Sequence, residues 1–161
     1  MSLFEQLAAI SGLDYLDLHV YPIQRDFFVP KVSRITALAS KMKKGVVVGE
    51  AWLYKVAGSE LGTLIDGSPA AFARDAYSFW ESLDVRFVKS LVALCYAQEI
   101  AYCSFFWMRN FYAYSDYSSV AGEAPGVVFQ DINGRAAANI VRGVPNHLGE
   151  VLREAIQKEG R

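Results

Sequence analysis

The sequence has no excess of charge of either sign: 16 Lys and Arg stand against 17 Asp and Glu, for a formal charge of -1 over 161 residues. Without a basic surplus there is no electrostatic footprint for nucleic acid or for anionic lipid. No apolar run reaches the ~18 residues that a membrane span needs. No leader is evident either, because Met1 to Ile10 carries Glu5 and reads as an amphipathic helix; the expectation is a soluble protein, with the cytoplasm as default location. Cysteine is scarce, and Cys95 and Cys103 lack metal-type spacing. One falls in a predicted helix and the other in a predicted strand, where each is expected to be a free, buried thiol. Repeats, low-complexity tracts and linkers are missing too, so residues 1–161 are expected to form one domain.

Aromatic residues are what the chain has in plenty: 9 Tyr, 10 Phe and 3 Trp. They either fill a large core or line a groove for a ligand with flat apolar faces, as sugars have. Hydrophobic periodicity places the elements. Leu3, Phe4, Leu7 and Ala8 form a helical stripe that ends at Ser11-Gly12. From Leu13 to Tyr21 the pattern alternates, with Leu16, Leu18 and Val20 on one side and Asp17, His19 and Tyr21 on the other, as in a strand. A second helix is predicted from Ser33, its N-cap, through Ile35, Leu38, Ala39 and Met42; Lys41, Lys43 and Lys44 suit its C-terminal dipole and Gly45 stops it. Val46 to Glu50 is a short apolar run of the kind that buried parallel strands show.

Ala51 to Pro69 reads as a long loop carrying Trp52 and Tyr54. Residues Phe72 to Ile100 read as helix broken near Ser82, its buried side marked by Phe79, Leu83, Phe87, Leu91, Leu94 and Cys95. Ala101 to Trp107 reads as a third strand. An irregular tyrosine-rich segment and helix at Ala136–Val141 and Leu148–Ile156 complete the chain. Alternation of strand and helix argues for an α/β fold with a parallel sheet and crossover helices. A (β/α)8 barrel needs eight strands, and three cannot close one. The chain is therefore expected to be part of a longer protein, to associate with strands from another chain, or to be a small open α/β sandwich with helices on both faces.

Three motifs carry a family resemblance. Leu18-His19-Val20-Tyr21-Pro22, Val47-Val48-Gly49-Glu50-Ala51-Trp52 and Ser104-Phe105-Phe106-Trp107 resemble, in order and spacing, the sixth, seventh and eighth strands of clan A retaining glycoside hydrolases. The resemblance implies a partial (β/α)8 (TIM) barrel, about three parallel β/α units with an N-terminal and a C-terminal helix. It implies Glu50 as nucleophile, Tyr21 as its hydrogen-bonding neighbour, His19 as a sugar contact and Trp107 as the floor of the sugar subsite. Such an enzyme needs no cofactor. A retaining glycosidase also needs a second carboxyl about 5–5.5 Å from the first to protonate the leaving oxygen. In the clan that residue lies within an Asn-Glu pair, and this chain contains none. Glu60, Asp66, Asp116 and Glu123 all fall in predicted loops.

The implied partners are a carbohydrate substrate and either further copies of the chain or a missing N-terminal barrel half. Trp52 joins Trp107 as an expected stacking surface, and Asp17 is expected to contact substrate. Asp17, His19 and Glu50 would alternatively make an oxygen/nitrogen metal site like those of sugar isomerase barrels. Elsewhere, Arg25 and Asp26 are expected to contact substrate or each other, Trp80 to be core and His147 to be exposed. Tyr112, Tyr114 and Tyr117 line a groove or pack a loop, and Asn133-Gly134 is expected to turn.

Overall fold

The alternating Leu16, Leu18 and Val20 and the valines after Gly45 set the centre of the fold. In the computed structural model, which describes residues 3–22, 28–60 and 69–160, they lie on β1 (Tyr15–Val20) and β2 (Gly45–Ala51). A two-residue β3 (Tyr102–Cys103) pairs on the far side of β2, giving a three-stranded, all-parallel sheet in the order β1-β2-β3. Parallel neighbours require crossovers, and these contain α2 (Phe28–Lys41) and α4 (Glu81–Ala97). A short α1 (Leu3–Ala8) precedes β1, α3 (Pro69–Arg74) precedes α4, and α5 (Pro125–Arg142) and α6 (His147–Glu159) follow β3.

Leu16, Leu18, Val20, Val46, Val48 and Ala51 are buried in one cluster with Val32, Ile35 and Ala39 of α2 and with Phe87, Val88, Leu91 and Cys95 of α4. Burying each large apolar side chain contributes about 1.5–3 kcal/mol, and all of this burial falls on one side of the sheet. Tyr15, Asp17, His19 and Tyr102 stay exposed on the other. A sandwich with helices on both faces is therefore not what the described residues form. Among them, no helix is long and apolar enough to cross a membrane.

Several elements differ from the sequence reading. Helix α2 begins at Phe28, with Ser33 inside it. Pro30 sits in its first turn, where the missing N–H has no intrahelical partner to lose. The helix is closed by Lys43 at a φ of 56°, with Lys44 N donating to Ala39 O, so Gly45 is not the stop. It is instead a contact point, since a Cβ there would lie 2.4 Å from the Tyr15 ring. The long predicted helix is interrupted after Arg74 and resumes at Glu81, so the break expected near Ser82 lies just before that residue. Phe79, expected on its buried side, is exposed in the turn before α4, and Leu83 is also exposed. Strand β3 is shorter than the predicted Ala101–Trp107.

The expected turn at Asn133-Gly134 lies inside α5. Val128, Ile132 and Ala136 are buried at four-residue spacing, and that apolar stripe outweighs the ~1 kcal/mol that Gly costs in a helix. Helix α6 is N-capped by Asn146, whose side chain accepts from Gly149 N, and it buries Leu148 and Val151. His147 is exposed, as expected. Both cysteines are free, Cys95 buried and Cys103 partly so.

Candidate functional site at the ends of the first two strands

Strict alternation would send Glu50 into the core after Val46 and Val48. The pairing register prevents this: Leu18 lies opposite Val48 but His19 lies opposite Glu50, so Gly49 is an extra residue on β2. One inserted residue reverses which face later side chains occupy. Glu50 consequently emerges beside His19, and Ala51 returns to the core. The Gly49 amide donates to Asp17 Oδ1 at 2.7 Å.

The resulting cluster holds four of the sequence-predicted residues together. Tyr21 Oη donates to Glu50 Oε2 at 2.6 Å. The His19 ring lies between two carboxylates, with Nδ1 3.4 Å from Glu50 Oε2 and Nε2 3.8 Å from Asp17 Oδ2. The Glu50 side chain keeps 36% of its surface exposed, and those of Asp17 and His19 just over half. Desolvation, followed by the bond to Glu50, raises the Tyr21 pKa well above that of an ordinary phenol, so the hydroxyl remains a donor throughout the physiological range. A carboxylate fixed by a neutral donor and open to solvent is suited to act as a nucleophile or a general base.

The aromatic walls differ from those expected. Trp52 is fully buried, packed edge-on against Phe87 and Phe111, with its indole N–H unpartnered among the described residues. It is a core residue rather than a stacking surface, because its large apolar area contributes more inside than over a cleft. Trp107 is partly exposed, but the Arg109 guanidinium covers its ring at 4.1 Å and Phe72 and Phe106 pack against it. Besides the His19 ring, edge-on at 6.4 Å, the rings that reach Tyr21 are Tyr54, stacked at 5.1 Å, and Phe106, edge-on at 6.2 Å. Phe106 keeps 40% exposure. The Phe105-Phe106-Trp107 run was the available signal for it, but three consecutive aromatics do not say which one faces out.

A second polar cluster, unforeseen from sequence, lies beneath the loop after β2. Lys55, Asp75, Asp84, Arg109, Asn110 and Ser115 are all buried. Lys55 Nζ pairs with Asp84 Oδ1, and Tyr114 Oη donates to Asp84 Oδ2 at 2.7 Å. The Lys55 amide donates to Asp75 Oδ1 at 3.1 Å, while Asp75 Oδ2 has no partner among the described residues. Burial pushes the Asp75 carboxyl up to about 6 against the pull of Lys55, and burial likewise raises Asp84. The loop that carries Lys55 also carries Tyr54, so this buried cluster anchors the ring that stacks on Tyr21.

The remaining candidates are engaged elsewhere or lie outside the described residues. Arg25, Asp26 and Asp66 belong to the latter group. Glu60 forms a two-pronged pair with Arg74 at 2.7 and 3.0 Å, which, together with the Ala57 amide, lowers its carboxyl to about 2. Asp116 caps the turn at Tyr117–Ser119. Tyr114 joins the buried cluster and Tyr117 packs on Tyr77 and Phe79, so with Tyr112 they pack loops rather than line one groove. Trp80 is half-buried. Among the described residues no group of three His, Cys, Asp or Glu side chains is arranged to hold a metal ion, and this includes Asp17, His19 and Glu50. No family model, curated protein or solved structure matches the chain.

Proposed function

We propose that this chain supplies the nucleophile side of a carbohydrate cleft in a (β/α)8 barrel of the retaining glycoside hydrolase type. The observation that carries the reading is Glu50 at the end of a parallel strand, on the face of the sheet that no helix of the described residues covers, accepting the 2.6 Å bond from Tyr21. Catalytic groups of barrel enzymes sit at the C-terminal ends of strands, and barrels carry their helices on the outer side only. The single-sided helical layer and the polar opposite face suit that frame. In the reaction, the Glu50 carboxylate attacks the anomeric carbon while a second carboxyl protonates the departing oxygen; water then cleaves the glycosyl ester. Tyr21 orients Glu50, His19 contacts sugar, and Phe106 and Trp107 offer aromatic surface.

The second carboxyl comes from outside the assembled cluster, supplied by the strands that complete the barrel. A groove of about 420 Å³ between α1 and α2, lined by Phe4, Ile35 and Leu38 with Lys31, Arg34 and Lys41, lies on the β1 side. A smaller cavity of about 90 Å³ runs along β1 from Asp17 to Tyr21. Among the described residues β1 is an edge strand, and an unpaired edge is a template for a further strand. A non-catalytic carbohydrate-binding or self-associating protein is the alternative, favoured by that same open edge. The decisive experiment assays the chain combined with its completing strands on aryl glycosides. Glu50→Gln is expected to lower turnover by a factor on the order of 10⁴ while sugar binding persists. Undiminished turnover in that variant would remove Glu50 from the mechanism.

A further inference from the structure

The bulge at Gly49 decides whether Glu50 is a core residue or a site residue, so whatever holds the bulge controls the site. An extra residue in a strand leaves its amide outside the regular ladder, and here that amide is taken by Asp17 Oδ1 at 2.7 Å. The fit is close: a Cβ on Gly49 would lie 2.5 and 2.6 Å from the two Asp17 oxygens, so only glycine admits the carboxylate. The second oxygen of Asp17 faces His19 Nε2 at 3.8 Å. Asp17 thus spans the bulged strand on one side and the imidazole on the other, while His19 in turn faces Glu50.

We propose that Asp17 is a positioning residue for Glu50: by holding the Gly49 amide it fixes the bulge that turns Glu50 out of the core and onto Tyr21 and His19. This rests on the reading of Glu50 as the centre of the site, and it assigns Asp17 a role other than substrate contact. Its Oδ1 holds the backbone amide while the side chain keeps 53% of its surface exposed, so holding the bulge and touching substrate are told apart by what each does to kcat and KM. The same pairing accounts for the Asp-x-His order on β1 and the Gly-Glu order on β2. Asp17 lies two residues before His19 and Gly49 one residue before Glu50, and the inserted glycine brings His19 and Glu50 opposite each other.

The chain itself provides the test, by NMR, with no substrate required. In the wild type the Gly49 amide is expected to be protected from exchange and the Glu50 side chain to show a cross-relaxation contact with the Tyr21 ring. Asp17→Ala is expected to speed Gly49 exchange by at least about tenfold and to abolish the Glu50–Tyr21 contact. Asp17→Asn, which keeps the accepting oxygen, is expected to restore both. A Glu50–Tyr21 contact that survives Asp17→Ala overturns the proposal, as does a rapidly exchanging Gly49 amide in the wild type, which decides the matter even should the alanine variant fail to fold. In a completed, active assembly, Asp17→Ala is expected to lower kcat with little change in KM; a raised KM with unchanged kcat marks substrate contact and overturns the positioning role. If the NMR results hold and no glycoside is turned over, Asp17 keeps its role and the hydrolase reading falls.

Discussion

Two clusters in this molecule are built from the same parts. Each has a tyrosine hydroxyl donating to a carboxylate, at 2.6 Å for Tyr21 and Glu50 and at 2.7 Å for Tyr114 and Asp84. Each adds a basic side chain and a second carboxylate: His19 and Asp17 in one, Lys55 and Asp75 in the other. They differ in solvent. The first lies on the open face of the sheet, half exposed, whereas Lys55 and Asp84 keep 1% and none of their side-chain surface. Water screens the first cluster and leaves its charges cheap to keep and free to react. In the second, every charge must be matched inside the protein, because removing one leaves another stranded at low dielectric. Solvent access thus separates a candidate site from a scaffold made of the same chemistry.

The widest break between the two should come from deleting the cation. Lys55→Met leaves Asp84 buried with only Tyr114 for a partner and is expected to cost about 3–5 kcal/mol. Adding Asp84→Asn to that variant is expected to recover part of the loss. His19→Ala, the matching deletion on the open face, is expected to change stability by about 0.5 kcal/mol or less. Urea unfolding of the four proteins measures all of this. Equal losses at Lys55 and His19 would mean that burial does not set the difference.

Acidity sharpens the contrast next. Asp75 takes up its proton at about 6 in the folded protein because burial penalises its charge, whereas an unfolded aspartate does so near ~4. Between those values the folded state binds more protons than the unfolded one. Stability therefore falls as pH rises from about 4 to about 6 and levels off above, by an amount on the order of 2–3 kcal/mol. Asp84, also raised by burial, acts in the same direction. Glu60, held low by Arg74, acts in the opposite sense, but its loss falls below this window. Asp75→Asn is expected to flatten the profile between pH 4 and 6 and to raise the urea midpoint at neutral pH. A wild-type midpoint that climbs across that interval would contradict the assignment.

The open cluster was legible in the sequence and the buried one was not, and the reason is geometric. Asp17, His19 and Tyr21 share a strand face by simple alternation, and β1 pairs with its nearest neighbour in the chain, so a two-residue period carried most of the site. The parallel order and the crossover helices followed from the same periodicity. What alternation could not give was the bulge, because the valine run before Glu50 reads the same with or without an extra residue. Asp75, Asp84, Arg109 and Tyr114 come from four separate segments, and nothing local marks an aspartate near the start of an amphipathic helix as buried rather than solvated. Trp52 failed for a related reason. Glu50, two residues before it, is open, and only the packing against Phe87 and Phe111 shows that the indole turns inward. The helix through Asn133-Gly134 was obscured by turn-forming residues whose preference a buried stripe at Val128, Ile132 and Ala136 overrides.

The finest test exchanges the two tyrosines for phenylalanine, since the bonds they make are nearly equal in length and differ only in surroundings. Tyr114→Phe strips a donor from a carboxylate that water cannot reach, and an unsatisfied buried acceptor costs about 1–3 kcal/mol. Tyr21→Phe strips a donor from Glu50, which water can re-solvate at once, so a change of about 0.5 kcal/mol or less is expected. On the proposed hydrolase reading the order reverses in function. Tyr21→Phe frees the Glu50 carboxylate to swing and is expected to depress turnover of a completed assembly, while Tyr114→Phe affects it only through stability. A stability loss at Tyr21 as large as that at Tyr114 would place Glu50 in the scaffold, since a carboxylate that holds the fold together at that strength is not one that water, or a sugar, can reach.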